Sequence, residues 1–145
     1  GLDGFETLAS GLRQRQNWEG MCSASDLAQA GAAEKLVADM AAQKVELTGL
    51  INNAGFGDRG DFSDLPLQRQ LDMIQVNVTA LVDLTWRLVP QLKASSHSTT
   101  AGQGAFVINV ASTAAFQAGP NMSIYYASNA FVLSFSEGLH EELKT

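Results

Sequence analysis

One cysteine, two histidines and no apolar run approaching the ~20 residues of a membrane span set the first limits on this 145-residue chain. Cys22 has no partner for an internal disulfide, which is compatible with a reducing compartment, and it reads as a small core residue on a strand rather than a reactive thiol. His97 and His140 have no companions at metal-ligand spacing, so both read as solvated or packing residues and no metal site is expected. The chain does not open on a charged segment followed by an apolar run, and nothing marks export or anchoring, so the expected location is the cytoplasm. Basic residues are scarce, nine Lys and Arg against fifteen Asp and Glu, for a formal net charge of −6. That balance disfavours nucleic acid, whose phosphates require a basic surface.

What remains is ordinary for a globular protein: 46% hydrophobic residues, 17% charged, and a mean hydropathy near zero. A chain of this size buries roughly 70% of its unfolded surface on folding, so a single domain over 1–145 with one core is expected. No internal repeat is visible.

Leu2, Phe5, Leu8, Ala9 and Leu12 recur at helical spacing, with Arg13 and Arg15 in the last turn of the helix they predict. The run Trp18 to Ser23 predicts a short strand, and Ser25 or Asp26 can cap a helix beginning near Leu27. Val45 to Asn52 predicts a second strand. It ends in Asn52, Asn53, Ala54, Gly55, Phe56 and Gly57, where small residues let backbone approach a ligand and the Asn side chains can bond neighbouring strands. Pro66 suits the first turn of a long helix to about Gln91. That helix carries Leu71, Ile74, Val78, Leu81 and Leu88 along one stripe and further apolar residues on other faces, so it must bury more than one side. Asn77 is the polar exception in its middle; by itself it would be a buried amide bonded to backbone. Ala94 to Gly104 is a polar loop, and Ala105 to Ala111 is an apolar run typical of a parallel strand covered on both faces. A last helix is expected from between Asn121 and Ser123 to about Leu143. Strands alternating with helices indicate an α/β chain with a mostly parallel sheet, whose ligands bind outside the carboxyl ends of the strands.

Ser112 ends the second apolar run, and Tyr125 stands at the start of the last helix, thirteen positions later. Together with Asn52-Asn53-Ala54-Gly55 and the Asn77 of Gln-Val-Asn-Val-Thr, they resemble the short-chain dehydrogenases/reductases, in the classical branch of that family. The resemblance covers nearly the whole chain. It implies a partial Rossmann-like, doubly wound parallel sheet flanked by helices. Tyr125 would be the general acid/base that exchanges a proton with a substrate hydroxyl or carbonyl, Ser112 would hydrogen-bond the same oxygen, and Asn77 would hold a relay water by opening its helix locally. Asn53, Ala54 and Gly55 would lie along the adenosine side of NAD or NADP, with Asp26 near the adenine ring; the hydride would belong to the cofactor. The resemblance also implies a homo-oligomer built through helices 66–91 and 121–143.

Three departures from that pattern bear on activity. No Gly-x-x-x-Gly-x-Gly phosphate turn occurs, and relative to the family the sequence begins after the second strand and stops after the Tyr125 helix, so a truncated domain is expected. A sheet without its middle strands requires either direct pairing of the Trp18 and Val45 strands or strands from elsewhere. Asn129 stands where the family's active-site lysine is expected. A free phenol, with a pKa of about 10, is phenolate in roughly one molecule in a thousand at pH 7, and a neutral amide supplies no charge to stabilise it. The expected function is therefore an NAD(P)-dependent oxidoreductase of a small alcohol or carbonyl, impaired as it stands. Two alternatives are a catalytically silent oligomerisation module and, last, a cofactor-independent enzyme using Ser112 or Tyr125, against which the absence of a Gly-x-Ser-x-Gly elbow counts.

Overall fold

Two short parallel strands, β1 (Gly49–Asn52) and β2 (Phe106–Asn109), pair with Gly49 opposite Phe106 and Asn52 opposite Asn109. Parallel pairing requires a long crossover, and a helical rod supplies it. The computed structural model describes residues 7, 10–11, 20–96 and 104–144. Within these, α1 (Ala32–Ala42) precedes β1, and the rod between the strands comprises α2 (Leu67–Ile74), a π-helical segment (Gln75–Ala80) and α3 (Leu81–Ser96). After β2 come a 3₁₀ turn (Thr113–Phe116) and α4 (Ser123–Glu142).

The rod buries Met73, Asn77, Ala80, Leu84, Leu88 and Leu92 on one side. Leu71 and Ile74, expected in the same stripe as Leu81 and Leu88, are exposed instead. The rod is apolar on two faces; the sheet, α1 and α4 cover one, and Leu71 and Ile74 belong to the other. Against this rod α1 is fastened by Arg87, whose guanidinium donates to Asp83 (2.7 Å) and Glu34 (3.1 Å). The hydrogen bond to Asp83 is the main cause of a guanidinium pKa above its ordinary value.

Among the described residues the sheet is covered on one face only. Ile51, Phe106 and Ile108, alternate residues of the two strands, and Val110, just past the end of β2, are all exposed. The expectation of a β2 covered on both faces is therefore not met among the described residues, where no element packs over these side chains. On that bare face the Phe106 ring lies across Gly49, where a Cβ would come within 2.3 Å of it.

The predicted Trp18 to Ser23 strand is not found over 20–23, which has no strand pairing, while its first residues lie outside the described set. Cys22 is accordingly exposed and not a core residue, because no strand carries it into the sheet. The helix expected near Leu27 begins at Ala32, after Gly31 in the left-handed region at φ 78°. Asp26 caps a tight turn before it, accepting the Ala28 N–H at 3.1 Å and the Gln29 side-chain amide at 3.2 Å. The Leu2 to Arg15 helix and His97 fall almost wholly or wholly outside the described residues; His140 is exposed on α4.

The covered face is joined by a chain of polar side chains. The Asn52 amide donates to Thr85 Oγ1 (2.9 Å) and to Asn109 Oδ1 (2.8 Å), fulfilling the expectation that an Asn here bonds a neighbouring strand. Thr85 Oγ1 donates to the Leu81 carbonyl (2.6 Å), and Asn109 donates to Ser136 Oγ (2.9 Å), which donates to the Val132 carbonyl (2.7 Å). One hydrogen-bonded path thus connects α3, both strands and α4. Truncating its centre leaves Asn109 and Thr85 short of a partner in a site where water enters poorly, so Asn52→Ala is expected to lower unfolding stability by about 1–3 kcal/mol. Thr85→Val keeps the Asn52–Asn109 bond and should cost less; denaturant unfolding of both variants checks the order, and equal or reversed losses would contradict it.

Candidate active site

The polypeptide leaving β1 runs irregularly over 53–60 and is held by the rod beneath it. Asn77, buried in the π-helical segment, accepts the Phe56 N–H at Oδ1 (3.0 Å) and donates through Nδ2 to the Phe56 carbonyl (2.9 Å). Its Nδ2 also donates to Ser128 Oγ (3.1 Å), and Ser128 donates to the Tyr125 carbonyl (2.9 Å). A π-helical turn widens the helix by one residue, and such turns recur at functional sites. Here it places one amide against both the loop and α4.

The far end of the loop is tied to the start of α4, since Gly60 N–H donates to the Asn121 carbonyl (2.9 Å). Asn121 itself sits in the left-handed region at φ 63°, which Asn tolerates better than most residues, and so turns the chain into the helix. Between these ties Gly57 lies against the Tyr125 ring: a Cβ there would meet it at 2.8 Å. The ring is half-buried and packs edge-on against Tyr126, with centroids 6.2 Å apart and planes at 77°.

Six of the sequence-predicted residues border one open cleft of about 480 Å³: Asn53, Ala54, Gly55, Asn77, Tyr125 and Asn129. Ser112 directly follows the lining residues Val110 and Ala111 but does not itself border the cleft; it is half-buried, and its Oγ accepts the Ala114 N–H at 3.2 Å as the cap of the 3₁₀ turn. Asp26 is not among the lining residues and is engaged in its own turn. Asn129 is buried, and its Nδ2 donates to the Tyr125 carbonyl one turn back (2.9 Å). The amide thus serves the helix backbone and brings no charge to the cleft.

Sequence reasoning passed over Ser128, which signalled only small size, although it stands one turn after Tyr125 and so on the same side of α4. It also passed over Asp58, Arg59 and Arg69. Asp58 accepts the Arg59 backbone N–H at Oδ1 (2.9 Å) and Arg69 Nε at Oδ2 (3.2 Å), while the Arg69 guanidinium lies 4.4 Å from the centre of the Phe56 ring. A DRG tripeptide in a polar loop reads as solvated charge, and only the fold brings Arg69 from α2 beside it. Among the described residues no group of His, Cys, Asp and Glu is arranged to hold a metal ion, and no helix is long and apolar enough to cross a membrane.

A sequence model for the family described as short chain dehydrogenase matches residues 3–145. The chain is 31% identical over 105 residues to a very-long-chain 3-oxoacyl-CoA reductase of Anas platyrhynchos, covering 70% of this chain and 31% of that protein. It is 36% identical over 103 residues to a sulfoacetaldehyde reductase of Chromohalobacter salexigens, covering 65% and 35%. Among solved structures, the bulky-bulky ketone specific alcohol dehydrogenase of Comamonas testosteroni superposes with a TM-score of 0.82 at 28% identity, over 96% of this chain and 53% of that one. A short-chain dehydrogenase of Sphingobium yanoikuyae in complex with NADPH does so equally, at 0.82 and 28%, over 95% and 51%. The chain therefore spans about a third of the length of these curated relatives and about half of these structures. With its family model matched from residue 3 to residue 145 and the Rossmann-like fold of such enzymes recovered, the chain belongs to the short-chain dehydrogenase/reductase family.

Proposed function

We propose that this chain carries the substrate-side wall of an NAD(P)-dependent oxidoreductase acting on a small alcohol or carbonyl, with its chemistry impaired as the 145 residues stand. The observation that carries this reading is the set of three Asn77 hydrogen bonds that fix loop 53–60 and α4 around a single cleft bordered by Tyr125. Relatives named as reductases of an oxoacyl-CoA and of sulfoacetaldehyde, and a neighbour holding NADPH, support the same class of reaction.

The residues present fit one part of a dinucleotide site. Asn53, Ala54 and Gly55 form an exposed, small-residue rim on the cleft, against which a flat ring system can lie. When bound, the nicotinamide supplies or accepts the hydride. Tyr125 exchanges a proton with the substrate oxygen and Asn77 holds the loop against which substrate packs; Ser112, which adjoins the cleft without bordering it, orients that oxygen only when its hydroxyl turns toward the cleft from the start of the 3₁₀ turn. Two needs are left unmet. These residues contain no Gly-x-x-x-Gly-x-Gly turn for the pyrophosphate, and Asn129 offers Tyr125 a backbone contact in place of a cation. A phenolate without a neighbouring ammonium is strongly disfavoured near neutrality.

A second reading, association through helices 66–91 and 121–143, draws on Leu67, Leu71, Ile74 and Phe131, all exposed large hydrophobics on those helices. Titration with NADH and NADPH, followed by cofactor fluorescence, is expected to give weak, saturable binding; no binding at millimolar concentrations removes the oxidoreductase reading for this chain. Asn129→Lys by itself is expected to leave reductase turnover undetectable, because added charge at 129 does not create a phosphate site, and turnover in that single variant would overturn the account of impairment. Sedimentation is expected to reveal concentration-dependent association, and a monomer at all concentrations would dismiss the second reading.

A further inference from the structure

Three arginines lie within the described residues, and two of them are paired: Arg69 with Asp58, and Arg87 with Asp83 and Glu34. Arg59 has no carboxylate within ion-pair distance among those residues, in a chain where acids outnumber bases fifteen to nine. Its sequence neighbour does not neutralise it. Asp58 uses one oxygen on the Arg59 backbone N–H and the other on Arg69, which is itself seated over the Phe56 ring. Among the described residues, Asp58 and Arg59 are the only Asp, Glu, Lys or Arg bordering the Tyr125 cleft, and between them they leave it one uncompensated positive charge.

That charge is presented from fixed backbone. Phe56, three residues before it, has both backbone groups bound by Asn77, and Gly60, immediately after it, donates to the Asn121 carbonyl. A guanidinium is always charged, offers a planar fork of donors and recognises carboxylate, sulfonate or phosphate oxygens in pairs. We propose that Arg59 makes this cleft selective for small alcohols and carbonyl compounds that carry an anionic group, the charged end lying on Arg59 and the reacting carbon towards Tyr125. The proposal rests on the reading of this cleft as a substrate site, and it adds the class of substrate.

The test uses the whole chain and needs no turnover. Amide shifts of Gly57 and Tyr125 are followed by NMR during titration with 4-hydroxybutyrate or with the uncharged butane-1,4-diol, in the native protein and in Arg59→Gln. At low ionic strength 4-hydroxybutyrate should bind about tenfold more tightly than the diol, the value of one charge-assisted contact. Added salt should narrow that gap, because the guanidinium is exposed. In Arg59→Gln the two ligands should become equivalent, while its unfolding midpoint reports that the fold is intact. A preference that survives in Arg59→Gln, no preference in the native chain, or no shift at Gly57 and Tyr125 with either ligand would each overturn the proposal. The cofactor's own phosphates are the other source of anionic oxygen: loss of NADPH affinity in Arg59→Gln with the 4-hydroxybutyrate preference intact would assign the charge to them instead. If NADPH fails to bind while the 4-hydroxybutyrate preference depends on Arg59, the oxidoreductase reading falls and the anion selectivity stands.

Discussion

Everything around the cleft depends on one buried amide. A loop that leaves a strand exposes backbone N–H and C=O groups that the sheet no longer satisfies, and burying them without partners is expensive. Asn77 satisfies both groups of Phe56 at once, as another strand would, while its remaining donor reaches Ser128. No apolar residue and no single-function polar side chain could do this. Because the amide is anchored in a buried helix, the loop takes its position from the core and not from its own sequence, and so does whatever the loop displays to a ligand.

A second polar path, running from Leu81 through Thr85, Asn52, Asn109 and Ser136 to Val132, has a different consequence. Two strands of four residues cannot specify a register through apolar contacts alone when one of their faces is bare. Matched amides at the end of both strands supply the missing specificity, because slipping the register by one residue would turn Asn109 to the bare face and break the path. The carboxyl ends of β1 and β2 are therefore the best-defined part of the sheet, and the cleft lies just beyond them. This agrees with the general placement of ligands in open α/β sheets.

How much of this could be read from the sequence differs by element. The Val45 to Asn52 and Ala105 to Ala111 runs, the rod beginning at Pro66 and the helix of Tyr125 were legible, because periodicity and Pro or Ser signals are local properties. The strand over 20–23 was not found, since a strand exists only where a neighbour pairs with it. The buried face of the rod was misjudged for a related reason: a helix apolar on two sides does not say which one the sheet will take. At the site, Asn77 and Tyr125 stood out as polar groups at unusual places in apolar patterns. Ser128, Asp58 and Arg69 did not, because their roles arise from contacts across 51, 11 and 11 positions of chain.

Asn129 shows how a site can keep its shape when the charge expected there by family resemblance is absent. At that position a short amide on the next turn donates to the Tyr125 carbonyl at 2.9 Å. Ser128 donates to the same carbonyl, so α4 stays regular through the tyrosine and its ring stays against Gly57. The electrostatic demand is separate, and a neutral side chain does not meet it. Geometry and charge are thus supplied by different atoms at this site: hydrogen bonds within the fold hold the tyrosine in place, while the positive charge bordering the cleft comes from Arg59 in the loop and not from the helix.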